Sequence, residues 1–407
     1  MKINSIASLL LVGLIVITAG CKKEGCTNPL ANNYSESAKK DDGSCQFDTP
    51  GGSGYTVPST YAFTDASGNN TVSFSGQQIR LEMMSEMTTY MKTANTAGTA
   101  VSATVLKDMY ANNAYSWTDA QGLGMTGSTK QLKNKTAAGD FGIQILFESY
   151  MDSIAVISST TVTGVEDGAP GNGGVYPNDG VKGPYLISAT GVEYTQIIEK
   201  GLMCAVFMNQ MTMNYLGSIA SDDNTTAVDA TGGKYYTEME HHWDEAYGYF
   251  TSEINYPSAG TDRFWGKYAD GREAILGSAT KIADAFRAGR AAISNADYVT
   301  RDAQIAIIRN EMEKLCAGTA IHYLNYAKAH ISDVTARNHS ISEAVAFLEG
   351  LKYGYNTESG NGMTSAQVDV ALAHIGADFN TVTLGDLQSA IDEIANNTGL
   401  SGVAYSL

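Results

Sequence analysis

The sequence predicts an all-α protein built from helical bundles, and three observations carry the prediction. Apolar residues recur at helical spacing in one stretch after another, beginning with Leu81, Met84, Met87 and Met91 and ending near Asn396. Helix-starting residues stand ahead of several of these stretches: Asp297, then Asn338 with Ser340, then Thr383. The alternation that marks strands is confined to Tyr61 and Phe63, followed by Val72 and Phe74, which flank the turn-like Ser67-Gly68-Asn69-Asn70 and predict one short N-terminal hairpin. Long helices joined by short connections pack as bundles rather than around a sheet.

Residues 1–20 read as an export signal, with Lys2 at the positive end and an apolar core from Ile6 to Ile17 that is too short for a permanent spanning helix. Ile17-Thr18-Ala19-Gly20-Cys21 reads as a lipobox, which predicts cleavage ahead of Cys21 and lipidation of that cysteine. The expected location is the cell envelope, lipid-anchored at the outer membrane, facing the periplasm or the cell surface. Residues 21–58 follow as a short module and linker. Cys26 and Cys45 bracket too few residues to hold a fold by packing alone, so outside the cytoplasm a disulfide between them is expected. Asp41-Asp42-Gly43 within that module reads as a plain turn, and Thr49 to Gly54 as a flexible linker.

Residues 59–407 form the main helical domain. After the helix marked by Leu81 to Met91 comes a second, marked by Ile143, Phe147, Met151 and Ile154, with no clear period over residues 113–138. Residues 160–191 make a Gly- and Pro-rich stretch long enough to be a lid or binding loop. Helices then fit Val192 to Tyr215, Tyr236 to Glu253, Glu273 to Asn295, Tyr298 to His330, Ser340 to Tyr353, Ser365 to His374 and Leu384 to Asn396, with loops at Asp222 to Lys234 and Asp262 to Tyr268. Cys204 and Cys316 lie in apolar helical runs, either as buried thiols or as a disulfide.

Hydrophobic residues make up 43% of the chain and charged ones only 17%, enough for a substantial core. Without the signal, one of the 26 Lys and Arg is lost and none of the 43 acids, so 25 − 43 gives −18. Such a balance excludes nucleic acid as a partner and argues against a basic membrane-binding patch.

Histidines and carboxylates crowd one turn of the stretch Glu240 to Phe250. As a helix, it places Trp243, Ala246, Tyr247 and Phe250 on one flank and His241, Asp244, Glu245 and Gly248 on the other, with His242 to the side. Imidazole and carboxylate at i,i+3 or i,i+4 stand one above the other, as two ligands of one metal ion do. His339 and Glu343 repeat the register of His241 and Glu245, with apolar residues again at i+2, i+6 and i+9, and a Cys-Ala pair stands upstream of each copy. Imidazole with carboxylate suits Fe, Zn or Mn.

The lipobox, Phe74-Ser75-Gly76-Gln77, the stretch Glu240 to Phe250, Phe264-Trp265-Gly266-Lys267-Tyr268 and Phe286-Arg287-Ala288-Gly289-Arg290-Ala291-Ala292-Ile293 together resemble an uncharacterised lipoprotein family related to the imelysins. The resemblance covers roughly Tyr61 onward. It implies a pair of helical bundles related by an internal pseudo-repeat, and a Gly-x-His-x-x-Glu motif associated with metal binding, iron-linked uptake or a peptidase-like role. His242 and Glu245 give the His-x-x-Glu spacing, with Glu240 where the family has Gly.

Three functions follow as expectations. The first is a membrane-anchored binding protein holding a metal, or a metal-loaded ligand, through His241, Asp244 and Glu245, with His339 and Glu343 as a second-copy site. The second is a metallopeptidase with Glu245 as general base, although no His-Glu-x-x-His occurs in the chain. The third is a structural or interaction lipoprotein that uses its Tyr and Gly-rich loops to bind a protein or glycan partner and whose His–Glu pairs are buried polar links between helices.

Overall fold

The apolar stripe from Leu81 to Met91 becomes the inner face of the first helix in the computed structural model, α1 (Ser75–Lys92), where Leu81, Met84, Met87 and Met91 are fully buried. The structure describes residues 23, 25, 34–38, 54–161, 168–178, 180–258, 262–355 and 362–407. Cys21, Cys26 and Cys45, and with them the lipid and disulfide expectations, lie outside the described residues. The chain divides into two compact units, Met1–Asp48 and Thr49–Leu407. In the first, the described residues include a turn closed by the Ala38 N–H on the Ser35 carbonyl, with Lys23 donating to Ser37.

The second unit is all-α: 61% of the structure is helix and 5% strand, and no sheet closes. After α1 come α2 (Ala103–Ala111), α3 (Phe141–Thr161) and α4 (Tyr194–Leu202). The last continues through two π-helical segments, Met203–Met208 and Gln210–Tyr215, into α5 (Leu216–Ser218). Then follow α6 (Glu238–Phe250), α7 (Phe264–Leu276), α8 (Ser278–Ser294), α9 (Tyr298–Ala329), α10 (Val334–Gly350), α11 (Ser365–Ile375) and α12 (Leu384–Thr398). The 32-residue α9 is flanked by α8, α10 and α12, while α4 packs on α10 and α1 on α6. One continuous apolar core runs through the unit from Tyr61 to Leu407.

Several boundaries differ from the sequence expectation, each for a physical reason. The expected hairpin at Tyr61 to Phe74 is a loop with a single bridge, Thr64 to Asn70, closed by Asp65, whose carboxylate accepts from the Ser67 and Asn69 amides. The expected helix Glu273 to Asn295 is two helices, because Gly277 takes a left-handed conformation (φ +66°) as the C-terminal stop of α7. The expected loop Asp262 to Tyr268 is largely the start of α7, and Trp265 is buried inside it, its indole N–H donating to the Met203 carbonyl at 3.0 Å.

Helix α10 begins six residues before Ser340: Asn338 and Ser342 serve tertiary contacts rather than capping, with Ser342 Oγ accepting from the Glu193 amide and Asn338 donating to Asn380, while the buried Ser340 hydroxyl has no hydrogen-bond partner among the described residues. The long Gly-rich stretch contains a small antiparallel hairpin, β1 (Gly174–Tyr176) with β2 (Tyr185–Ile187), and the loop ahead of α6 contains another, β3 (Ala227–Asp229) with β4 (Lys234–Thr237). Cys204 and Cys316 are free thiols, buried, with sulfurs 4.0 Å apart where a disulfide needs about 2.05 Å. Among the described residues no helix is long and apolar enough to cross a membrane.

Candidate functional site

Helix α6 opens with a capping box. Thr237 Oγ accepts from the Glu240 amide, and the Glu240 carboxylate accepts in turn from the Thr237 amide. That start fixes the rotation of the helix, and the rotation separates the expected metal ligands. Asp244 faces inward, fully buried: Oδ1 accepts from Tyr61 at 2.8 Å and from Arg290 Nε at 2.9 Å, and Oδ2 from the Ser73 amide at 2.9 Å. Arg290, equally buried, also donates to Glu240 at 2.6 Å, to Ser294 and to Thr71.

Burial raises the Asp244 carboxyl to about 6 against the opposing pull of Arg290, so it is ionised at neutral pH. Asp244, expected as a ligand beside His241, has both oxygens engaged: Oδ1 in a buried ion pair and Oδ2 by the Ser73 amide, contacts that tie the chain around Tyr61 and Thr71 to α6 and α8.

The remaining residues of the motif also have partners. His241 Nδ1 donates to the Ser73 carbonyl at 3.0 Å, and its ring stacks on Tyr236 at 4.6 Å. Burial lowers its pKa, with Glu245 pulling the other way. His242 Nδ1 contacts Asp222 at 2.8 Å, and Glu245 accepts from Gln77 at 3.0 Å. Among the described residues no three His, Cys, Asp or Glu side chains are grouped as a shared metal ion would require.

In the second copy the two residues do meet. The His339 ring lies between two carboxylates, Nδ1 donating to Glu193 at 2.6 Å and Nε2 to Glu343 at 3.3 Å, with Tyr185 of β2 stacked on it at 4.2 Å. Burial alone would lower this imidazole's pKa, but Glu193 and Glu343 outweigh it and push the value up to about 9, so at neutral pH the ring is held as an imidazolium with both nitrogens donating. Glu343 is held below the usual carboxylate range: the burial that would raise it is outweighed by His339 and Lys200. The chain of charge continues from Glu343 to Lys200 at 3.8 Å, from Lys200 to Glu199 at 3.0 Å, and from Glu199 to Lys92 at 3.9 Å.

Beside this network lies the feature that sequence reasoning did not reveal. A cleft of about 600 Å³ opens between α3, α4, α10 and α11. Phe147, Tyr150, Tyr194, Tyr353 and Phe379 supply its aromatic walls, with Leu146, Ile197 and Leu372 between them. Glu349 and Asp369 stand at its rim, both paired with Lys352, at 2.9 and 2.6 Å. Gly201 lines the cleft because a Cβ there would come within 2.8 Å of the Phe147 ring. The volume and the mainly apolar lining with a few polar groups are those of small-molecule sites.

Fold and site together define an all-α protein with a buried ion-pair frame and an aromatic cleft. The chain belongs to a family described as a domain of unknown function, DUF4856, whose family model matches residues 58–401. No curated protein and no solved structure gives a match.

Proposed function

We propose that this chain is a membrane-tethered, non-catalytic binding protein that holds an organic ligand in the cleft between α3, α4, α10 and α11. The cleft carries the reading: three tyrosines and two phenylalanines around apolar walls suit a ligand with a flat or aliphatic body. The tether is read from the lipobox at Cys21. The relation to the imelysins draws support from both His-x-x-x-Glu stretches being helical, in α6 and α10.

Metal binding through His241, Asp244 and Glu245 is the weaker reading, since Asp244 is committed to Arg290, and a peptidase base at Glu245 is weaker still, since that carboxylate is bonded to Gln77. The test is uptake of the neutral fluorophore N-phenyl-1-naphthylamine by the full chain and by Ala373→Trp, which places an indole at an exposed position lining the cleft. Saturable uptake in the wild type that is lost in the variant supports the reading, and equal uptake in both overturns it. Elemental analysis beside His241→Ala tests the metal reading separately, which stands only if a near-stoichiometric metal is lost in the variant.

A further inference from the structure

The three tyrosines of the aromatic cleft differ from the tyrosines of the core. Tyr61, Tyr110, Tyr247 and Tyr256 are buried, and each hydroxyl has a protein partner: Asp244, Thr136, the Glu253 carbonyl and the Gly266 carbonyl. Tyr150 of α3, Tyr194 of α4 and Tyr353, in the turn that ends α10, are only half-buried and line the cleft. None of their hydroxyls has a hydrogen-bond partner among the described residues, and all three stay open to solvent.

These hydroxyls sit in one neighbourhood. The Tyr150 and Tyr194 rings are 5.8 Å apart, and Glu349, one turn before Tyr353, acts on both Tyr150 and Tyr353. Burial, with Glu349 adding to it, pushes the Tyr150 hydroxyl up to about 12 and raises that of Tyr353 as well. Both phenols therefore keep their protons at neutral pH and stand as donors in want of an acceptor.

The charges of the lining set a second condition. No lysine, arginine or histidine lines the cleft, and its two carboxylates, Glu349 and Asp369, are already held by Lys352 at 2.9 and 2.6 Å. A charged head group entering from water would lose its hydration without meeting a free counter-charge. An uncharged, oxygen-rich head loses less, because its oxygens accept from the phenols and its hydroxyls donate to Glu349. The rest of the lining, with Phe147, Ile197, Leu372 and Phe379, is apolar and matches a body without polar atoms.

Resting on the reading of the cleft as a binding site, we propose that its ligand is an uncharged amphiphile, a polyhydroxyl head of the sugar or polyol kind on an aliphatic chain. The head oxygens accept from Tyr150, Tyr194 and Tyr353, and the chain lies along the apolar walls.

The test is calorimetric titration of the full chain with octyl glucoside, octanoate and octylammonium, each below its micelle-forming concentration, so that one chain length carries three heads. The glucoside is expected to bind saturably and about tenfold more tightly than either charged amphiphile. Tyr150→Phe and Tyr353→Phe each remove one hydroxyl and should weaken the glucoside about threefold to tenfold, while uptake of N-phenyl-1-naphthylamine, which carries no oxygen, stays as in the wild type. Neither hydroxyl has a protein partner to lose, so thermal unfolding of both variants should match the wild type and show that they are folded. Fluorophore uptake with no glucoside binding, with a charged amphiphile bound as tightly as the glucoside, or with a glucoside affinity unchanged in both tyrosine variants overturns the proposed class and leaves the cleft reading standing. Absence of both fluorophore uptake and glucoside binding overturns the two together.

Discussion

One guanidinium, Arg290, satisfies Asp244 and Glu240 where no water reaches, and that makes it the residue whose loss is easiest to forecast. Arg290→Met leaves two buried carboxylates without their cation, and breaking a buried pair in this way typically costs about 3–5 kcal/mol, which urea unfolding would show as a lower midpoint. The residue was legible in part. Arg290 falls at i+4 from Phe286 and i−3 from Ile293, on the apolar face of its helix, and a charge on that face asks for a buried partner. Its partner was not legible, since Asp244 stands 46 residues away and reads from the sequence as a metal ligand beside His241.

His339 gives a forecast in pH. Its folded pKa of about 9 lies above the unfolded value near 6.5, so the native state holds the proton more tightly. The stabilisation is complete below about pH 6.5 and is lost as pH rises towards 9. Urea unfolding of the wild type across that window should therefore show falling stability, and His339→Gln should flatten the fall.

Among the elements, the contact of α6 with α8 is closest at Gly289, where an added Cβ would lie 2.1 Å from the Trp243 ring. Gly289→Ala must push that indole aside and break its N–H bond to the Phe286 carbonyl, an overpacking cost of about 1–3 kcal/mol readable as a drop in thermal midpoint. Thr237→Ala removes the cap of α6 and should cost about 1 kcal/mol by the same measurement. Helices marked by a strong period and a cap, such as α9 after Asp297 and α12 after Thr383, were read to within a few residues, because both signals are local. The π-helical turns after α4 were not readable, since no residue type in Met203 to Tyr215 announces a widened turn. Nor was the early start of α10, whose Asn338 reads as a cap and is bonded across the fold to Asn380 instead.

At the scale of the whole molecule, the helical class followed from periodicity, while the aromatic cleft did not. Its walls come from α3, α4, α10 and α11, and only the folded chain brings residues near 150, 194, 349 and 372 together. A ligand that binds only the native state stabilises it by RT ln(1 + [L]/Kd), so the fluorophore should raise the thermal midpoint. Ala373→Trp should erase that shift.

The Tyr61 and Thr71 contacts also have a mechanical meaning. Tension applied to the chain ahead of Tyr55 is met by the Tyr55–Asp297 bond at 3.1 Å, and then by the Tyr61–Asp244 bond, the stacking of Tyr61 on Tyr247 at 3.6 Å, and the grip of Arg290 on Thr71. These contacts join that strand of chain sideways to two helices, so they resist in shear and share the load rather than peeling one by one. In single-molecule pulling from the N-terminal side, Arg290→Met should lower the force of the first unfolding step more than Gly289→Ala does.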